Sequence, residues 1–104
     1  MRSYTLTLTN AAQTYKLQTL VNAANTAERG MFGNISLQAD PTNASQILIG
    51  GADLDGTKYG IRMQPGDFVL MSTGSGKNDQ ALLGLYARGI TTAGMKLNVT
   101  LDEV

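Results

Sequence analysis

The chain has 104 residues, enough for one domain with a single modest core. Lys plus Arg (8) balances Asp plus Glu (8) and charged residues make up only 15%, so nothing draws the chain to a nucleic-acid backbone or an anionic membrane surface. It has no Cys, His or Trp, which removes disulfides and thiolate chemistry, the commonest general base, and the strongest stacking platform for sugars.

The opening residues MRSYTLTLTN are polar and alternating, without the apolar centre of a secretion signal. No stretch approaches the ~20 apolar residues of a membrane span. The expectation is a soluble chain made in the cytoplasm.

Tyr4, Leu6 and Leu8 alternate with Thr5, Thr7 and Thr9, which predicts a strand over residues 3–9 ended by Asn10. Residues 12–17 suit a returning strand. The period then changes: Leu17, Leu20, Val21 and Ala24 share one helical face. This predicts a short helix within residues 17–29, with Gly30 as its C-terminal cap and Arg29 in its last turn. The competing reading extends the strand to Val21 and follows it with a polar loop.

From residue 33 the pattern is strand and turn. Ile35, Leu37 and Ala39 alternate with polar residues until Pro41. Residues 47–49 form a short apolar strand before Gly50 and Gly51. Residues 53–57, DLDGT, have turn chemistry. Strands are predicted over 59–63 and 68–71, separated by the Gln64-Pro65-Gly66-Asp67 turn. STGSGKND is a polar loop, and strands over 82–87 and 96–101 complete the set. Such spacing predicts an all-β fold in one domain spanning residues 1–104. The expected architecture is an antiparallel, jelly-roll-like β-sandwich of seven or eight short strands with at most one short helix.

Several segments invite a chemical reading. Ser72 to Lys77 imitates a phosphate loop, but Met71 occupies the first glycine's position and Asn78 that of the Ser or Thr after the lysine. Asp53 and Asp55 with Gly56 resemble half of a calcium loop, yet Arg62 stands where the closing Glu belongs. The carboxylates that glycoside chemistry would need fall mostly in turns or at the C-terminus, where backbone geometry alone favours Asp. The expectation is a chain that is not an enzyme and uses no cofactor or metal.

The segment from Leu17 to Phe32 is the part a sandwich core least requires. It is the candidate partner surface, through Leu17, Leu20, Val21, Met31 and Phe32. Met31 and Phe32 suit an interface anchor, and equally the closure of the sandwich's open end.

The order of features over roughly residues 33–101 resembles a family of small β-sandwich virion proteins of tailed phages. The resemblance rests on an extended strand from Ile35 to Asp40 with a turn at Asn43, then Ile47-Leu48-Ile49-Gly50, then Thr57. Tyr59-Gly60-Ile61, Pro65-Gly66, the run from Phe68 to Met71, and the closing strands from Leu82 and Lys96 follow. The resemblance implies a capsid decoration (cement) or head-fibre protein, assembled as a homo-oligomer with threefold symmetry on a major capsid or other virion protein. It places the chain in the virion, with neither nucleic acid nor membrane as partner. The alternatives are a tail, neck or fibre component, and a small carbohydrate-binding module for host attachment. The last would use Tyr15 and Tyr59 as its aromatic platform, because Tyr4 and Tyr86 are in phase with core residues.

Overall fold

The computed structural model describes residues 2–28, 31–32, 34–72, 80–81 and 84–102. Its elements, in chain order, are β1 (Arg2–Leu8), β2 (Thr14–Lys16), α1 (Leu17–Ala24), β3 (Met31–Phe32), β4 (Asn34–Ala39) and β5 (Ile47–Gly50), followed by β6 (Ile61–Met63), β7 (Phe68–Ser72), β8 (Gln80–Ala81), β9 (Tyr86–Gly89) and β10 (Met95–Asp102). The first four-stranded sheet runs β1-β10-β4-β7 and the second β2-β9-β5-β6, while β3 and β8 form a two-stranded pair. Every pairing is antiparallel. The expected all-β sandwich is present.

The winding follows from one long antiparallel ribbon. β1 pairs with β10, β2 with β9, β3 with β8, β4 with β7 and β5 with β6, so the chain doubles back on itself at the loop 51–60. Rolling that ribbon up adds the β10–β4 and β5–β9 pairings. The result is the jelly-roll order, with the chain crossing between sheets at each step except the β5–β6 hairpin.

The two sheets enclose one apolar cluster. Strict alternation puts Leu6 and Leu8, Ile35, Leu37 and Ala39, and Leu97, Val99 and Leu101 on the inner face of the first sheet. Ile47, Ile49, Met63 and Ala87 meet them from the second. The turns between strands are locked locally. Asp67 N–H donates to Gln64 O at 2.9 Å across the Pro-Gly turn, and Gly66 has φ +89 there, a conformation that costs an L side chain strain. Asn43 works at longer range: its amide donates to Lys96 O and accepts from Lys96 N–H, both at 2.8 Å, and so extends the start of β10.

Element boundaries shift from expectation in several places. The helix ends at Ala24 instead of reaching residue 29, because Asn25 takes over the chain's direction. Its N–H still donates to Val21 O, but its side chain accepts from Ala27 N–H and its carbonyl from Glu28 N–H. Gly30 and Arg29 lie outside the described residues. Tyr59 and Gly60 belong to the hairpin loop, not to β6. β9 begins at Tyr86 and continues to Gly89, later than the 82–87 expected.

The segment after the helix is tied down by a polar cluster. Glu28 Oε1 accepts from Arg2 Nε and from Tyr4 Oη, both at 2.6 Å. The Glu28 side chain is only 4% exposed, so this ion pair resists solvent screening better than a surface pair does. Asn25 Nδ2 donates to Tyr4 Oη at 3.1 Å, and Asn22 Nδ2 to Glu28 O at the same distance. No helix among the described residues is long and apolar enough to cross a membrane.

Two outcomes follow from this packing. Leu17 is fully buried, so Leu17→Ala should lower unfolding free energy by about 2–5 kcal/mol in denaturant titration. The hydrogen bond to Glu28, with burial second, raises the Tyr4 pKa above the ordinary 10.0. The native state thus favours the neutral phenol: this contribution is full below pH 10.0 and fades as pH climbs through the raised value. In tyrosinate absorbance, one of the four tyrosines should titrate late and Glu28→Gln should bring it back.

Candidate assembly surface

The two sheets treat their outer faces differently. On the second sheet, Leu48 points away from the sandwich core, opposite in phase to Ile47 and Ile49, yet it is buried. The loop 51–60 folds back over this side: Thr14 Oγ1 donates to Leu54 O at 2.9 Å, Arg88 Nη1 donates to Thr14 Oγ1 at 3.1 Å, and Leu54 is buried.

Among the described residues, nothing folds over the outer face of the first sheet. Ser3, Thr5 and Thr7 from β1 stand beside Thr100, Asn98 and Lys96 from β10. Ser36 and Gln38 from β4 continue the rows, and Leu70 and Phe68 from β7 end them. The side chains brace one another: Thr5 Oγ1 donates to Asn98 Oδ1 at 2.9 Å, and Asn98 Nδ2 reaches Asp40 Oδ2 at 3.3 Å. The Thr42 hydroxyl and N–H, then Asn98, hold the Asp40 carboxyl below the usual range. Hydroxyls and amides dominate the face, and Lys96 and Asp102 are its charges within the strands.

Its border is apolar. Phe68 is 62% exposed and Leu70 57%, the highest among the exposed large hydrophobics of the described residues. Val69 and Met71, in the opposite phase, pack against the core. β7 is also a sheet edge, paired with β4 alone among the described strands. Sequence reasoning placed the strand but did not single out these two residues. The signal was the unbroken apolar run from Phe68 to Met71, which in an edge strand must send half its side chains outward.

The expected partner residues are placed otherwise. Leu17 and Val21 are fully buried and Leu20 packs half-buried against the same cluster, so Leu17 and Val21 belong to the core and offer no surface to a partner. The helix is amphipathic, and its apolar stripe is satisfied within the chain. The backbone of Met31 and Phe32 forms β3 against β8, while their side chains lie outside the described residues.

The glycine-rich hairpin tip forms an open cleft of about 330 Å³ lined by Gly50, Gly51, Asp53, Thr57, Lys58, Tyr59 and Gly60. Gly50 suits a close approach: a Cβ there would lie 3.3 Å from Leu54 Cδ1 and 3.4 Å from Gly60 N, so a side chain would make Leu54 shift. Asp55 serves the turn: its Oδ1 accepts from Thr57 N–H at 2.7 Å, Lys58 N–H at 2.8 Å and Thr57 Oγ1 at 2.9 Å. No group of three His, Cys, Asp or Glu gathers for a metal among the described residues. The Ser72–Lys77 segment lies beyond Ser72 outside them.

The two tyrosines proposed as a platform are engaged separately. Tyr15 Oη sits 2.9 Å from both Thr9 Oγ1 and Asn10 N, and its ring packs on the core. Tyr59 is 42% exposed, with the Arg62 guanidinium 5.3 Å from its ring centroid.

No protein-family model, curated protein or solved structure matches the chain. The resemblance to phage virion proteins therefore stands on the residue pattern alone.

The backbone N–H groups of Thr57 and Lys58, followed by the Thr57 hydroxyl, lower the Asp55 pKa from 3.8 to about 2. A depressed value means that the loop's lock is complete above pH 3.8 and is lost as pH falls through about 2. The amide resonances of Thr57 and Lys58 should titrate with that low midpoint, and Asp55→Asn should abolish the transition.

Proposed function

We propose that the chain is a non-enzymatic virion structural protein, a capsid decoration protein of the tailed-phage type that stabilises the head in many copies. The open, nearly uncharged outer face of the first sheet, bordered by Phe68 and Leu70, carries this reading. Such a face suits close packing against a protein shell: hydroxyls and amides exchange water for protein partners, and exposed apolar side chains mark interaction sites.

The chemistry of the chain agrees. Asp40, Asp55 and Asp67 accept hydrogen bonds from backbone N–H groups of their own turns, at Thr42, Thr57 and Gln64. These carboxylates are spent on structure, and with neither His nor Cys the chain offers few groups for acid–base or nucleophilic work. Jelly rolls occur in viral capsid proteins and also in lectins, so the fold is compatible with this role without selecting it. The resemblance adds a homo-oligomer with threefold symmetry, and a tail, neck or fibre part would differ mainly in copy number. A carbohydrate module is less well supported, since Tyr15 packs against the core and Tyr59 is the exposed one of its two tyrosines.

Purified protein added to emptied heads should bind in fixed proportion to the major capsid protein and raise the temperature at which the shells rupture. Because the face carries so little charge, binding should persist at ~1 M salt, where the Debye length is about 3 Å. Binding only at a single vertex would point to a neck or tail part, and release at moderate salt would count against this face.

A further inference from the structure

We infer that the edge of β7 left unpaired among the described strands is a self-association site, at which a second copy of the chain adds its own β7 antiparallel about a twofold axis. The inference rests on the reading that copies of the chain assemble together, and it names a twofold contact, distinct from the threefold one that the resemblance implies.

The backbone geometry supplies the first argument. Ala39 N–H donates to Asp67 O at 3.0 Å, so in the alternating antiparallel ladder residues 67, 69 and 71 turn their backbone groups toward β4. Phe68, Leu70 and Ser72 then turn theirs toward the free edge. An exposed row of donors and acceptors is a template for another strand.

The second argument is that, among the described residues, β7 lacks the usual protection of an edge. The edge strands of the second sheet, β2 and β6, have three residues each and carry Lys16 and Arg62. β1, the other edge of the first sheet, begins with Arg2 and shows Ser and Thr outward. β7 reads FVLMS, with no charge and no proline, and directs Phe68 and Leu70 to solvent. Natural sheets guard long apolar edges with charge, proline or bulges. An unguarded edge is one that is meant to be covered.

The third argument selects the occupant. A twofold axis through Val69 sets Phe68 of one copy opposite Leu70 of the other, twice, and pairs the outward backbone groups of both strands. The strand is thus its own complement, as an isologous contact requires. The chain carries no net charge, so two identical faces approach without long-range repulsion. Nothing on the edge offers the charge by which a foreign strand would be selected. Two five-residue strands cover less than the ~800 Å² per partner of a standard interface, so the pairing is weak and fills at high local concentration. A crowded particle surface provides that concentration.

The test is sedimentation equilibrium of the full chain from micromolar to millimolar concentration, for the native sequence and for Leu70→Lys and Leu70→Thr. The native chain should pass reversibly from monomer to dimer, Leu70→Lys should weaken the dimer by more than about tenfold, and Leu70→Thr should weaken it less. Leu70 is exposed, so circular dichroism should report an intact fold in both variants. The chain has no Cys, so mixing Phe68→Cys with Leu70→Cys should give a disulfide-linked dimer faster than either alone. A native chain that stays monomeric at millimolar concentration would overturn the inference. So would a dimer or trimer that Leu70→Lys leaves intact, although that outcome, like capsid binding by a monomer, would leave the decoration reading standing.

Discussion

Period-two alternation in β10 is the constraint on which the rest of the structure depends. Met95, Leu97, Val99 and Leu101 point inward, and the strand pairs with β1 on one side and β4 on the other. A slip of one residue against either neighbour would move those four apolar side chains to the wet face and bring Lys96, Asn98, Thr100 and Asp102 inside. The register is therefore fixed on both sides by burial. Asn43 reinforces it at the start of the strand, where its amide pairs with both backbone groups of Lys96. With β10 set, β1 and β4 are set, and β7 falls at the border because no further strand of the first sheet remains among the described residues.

The same constraint makes the two outer faces unequal. The second sheet is narrow, with strands of three or four residues, and its outer face needs help from the hairpin loop. Leu54 in that loop and Leu48 beneath the same side are both withdrawn from water. The first sheet has longer strands, and on β1, β10 and β4 the outer rows are mostly Ser, Thr, Asn and Gln, which need no cover. Hydration is cheap to keep on one side and costly on the other, so the loop folds toward the second sheet. Among the described residues, an uncovered face and an unpaired apolar edge are left together on the first.

Much of this fold was legible in the sequence because burial on one face writes itself as alternation. Tyr4-Leu6-Leu8, Ile35-Leu37-Ala39 and Leu97-Val99-Leu101 each announce a strand and its inner side. The helix was legible from Leu17, Leu20 and Val21, but its end was not, since Asn25 terminates it through local side-chain bonds that compete with the helical pattern. The function of that helix was harder still. An apolar stripe on a short amphipathic segment looks the same whether it covers the chain's own core or waits for a partner, and here Leu17 and Val21 cover the core. Phe68 and Leu70 were hidden for the opposite reason: a four-residue apolar run fixes a strand but not its place in the sheet, and only the strand order turns it into an edge.

The glycine-rich stretch from residue 47 to residue 71 shows how backbone needs can mimic a binding loop. Gly50 lets the end of β5 pass close to Leu54 and Gly60, and Gly66 supplies a positive φ between β6 and β7. Asp55 and Asp67 each point a carboxylate at the N–H groups of their own turn. A carboxylate already accepting such bonds loses them if it turns to a ligand, and the same bonds lower the Asp55 pKa. The strand–turn–strand reading thus accounts for these residues in full. What it leaves over is the pair of apolar side chains at the end of the stretch, on a strand whose other edge is unpaired among the described strands, and on the proposed reading that remainder is where assembly would act.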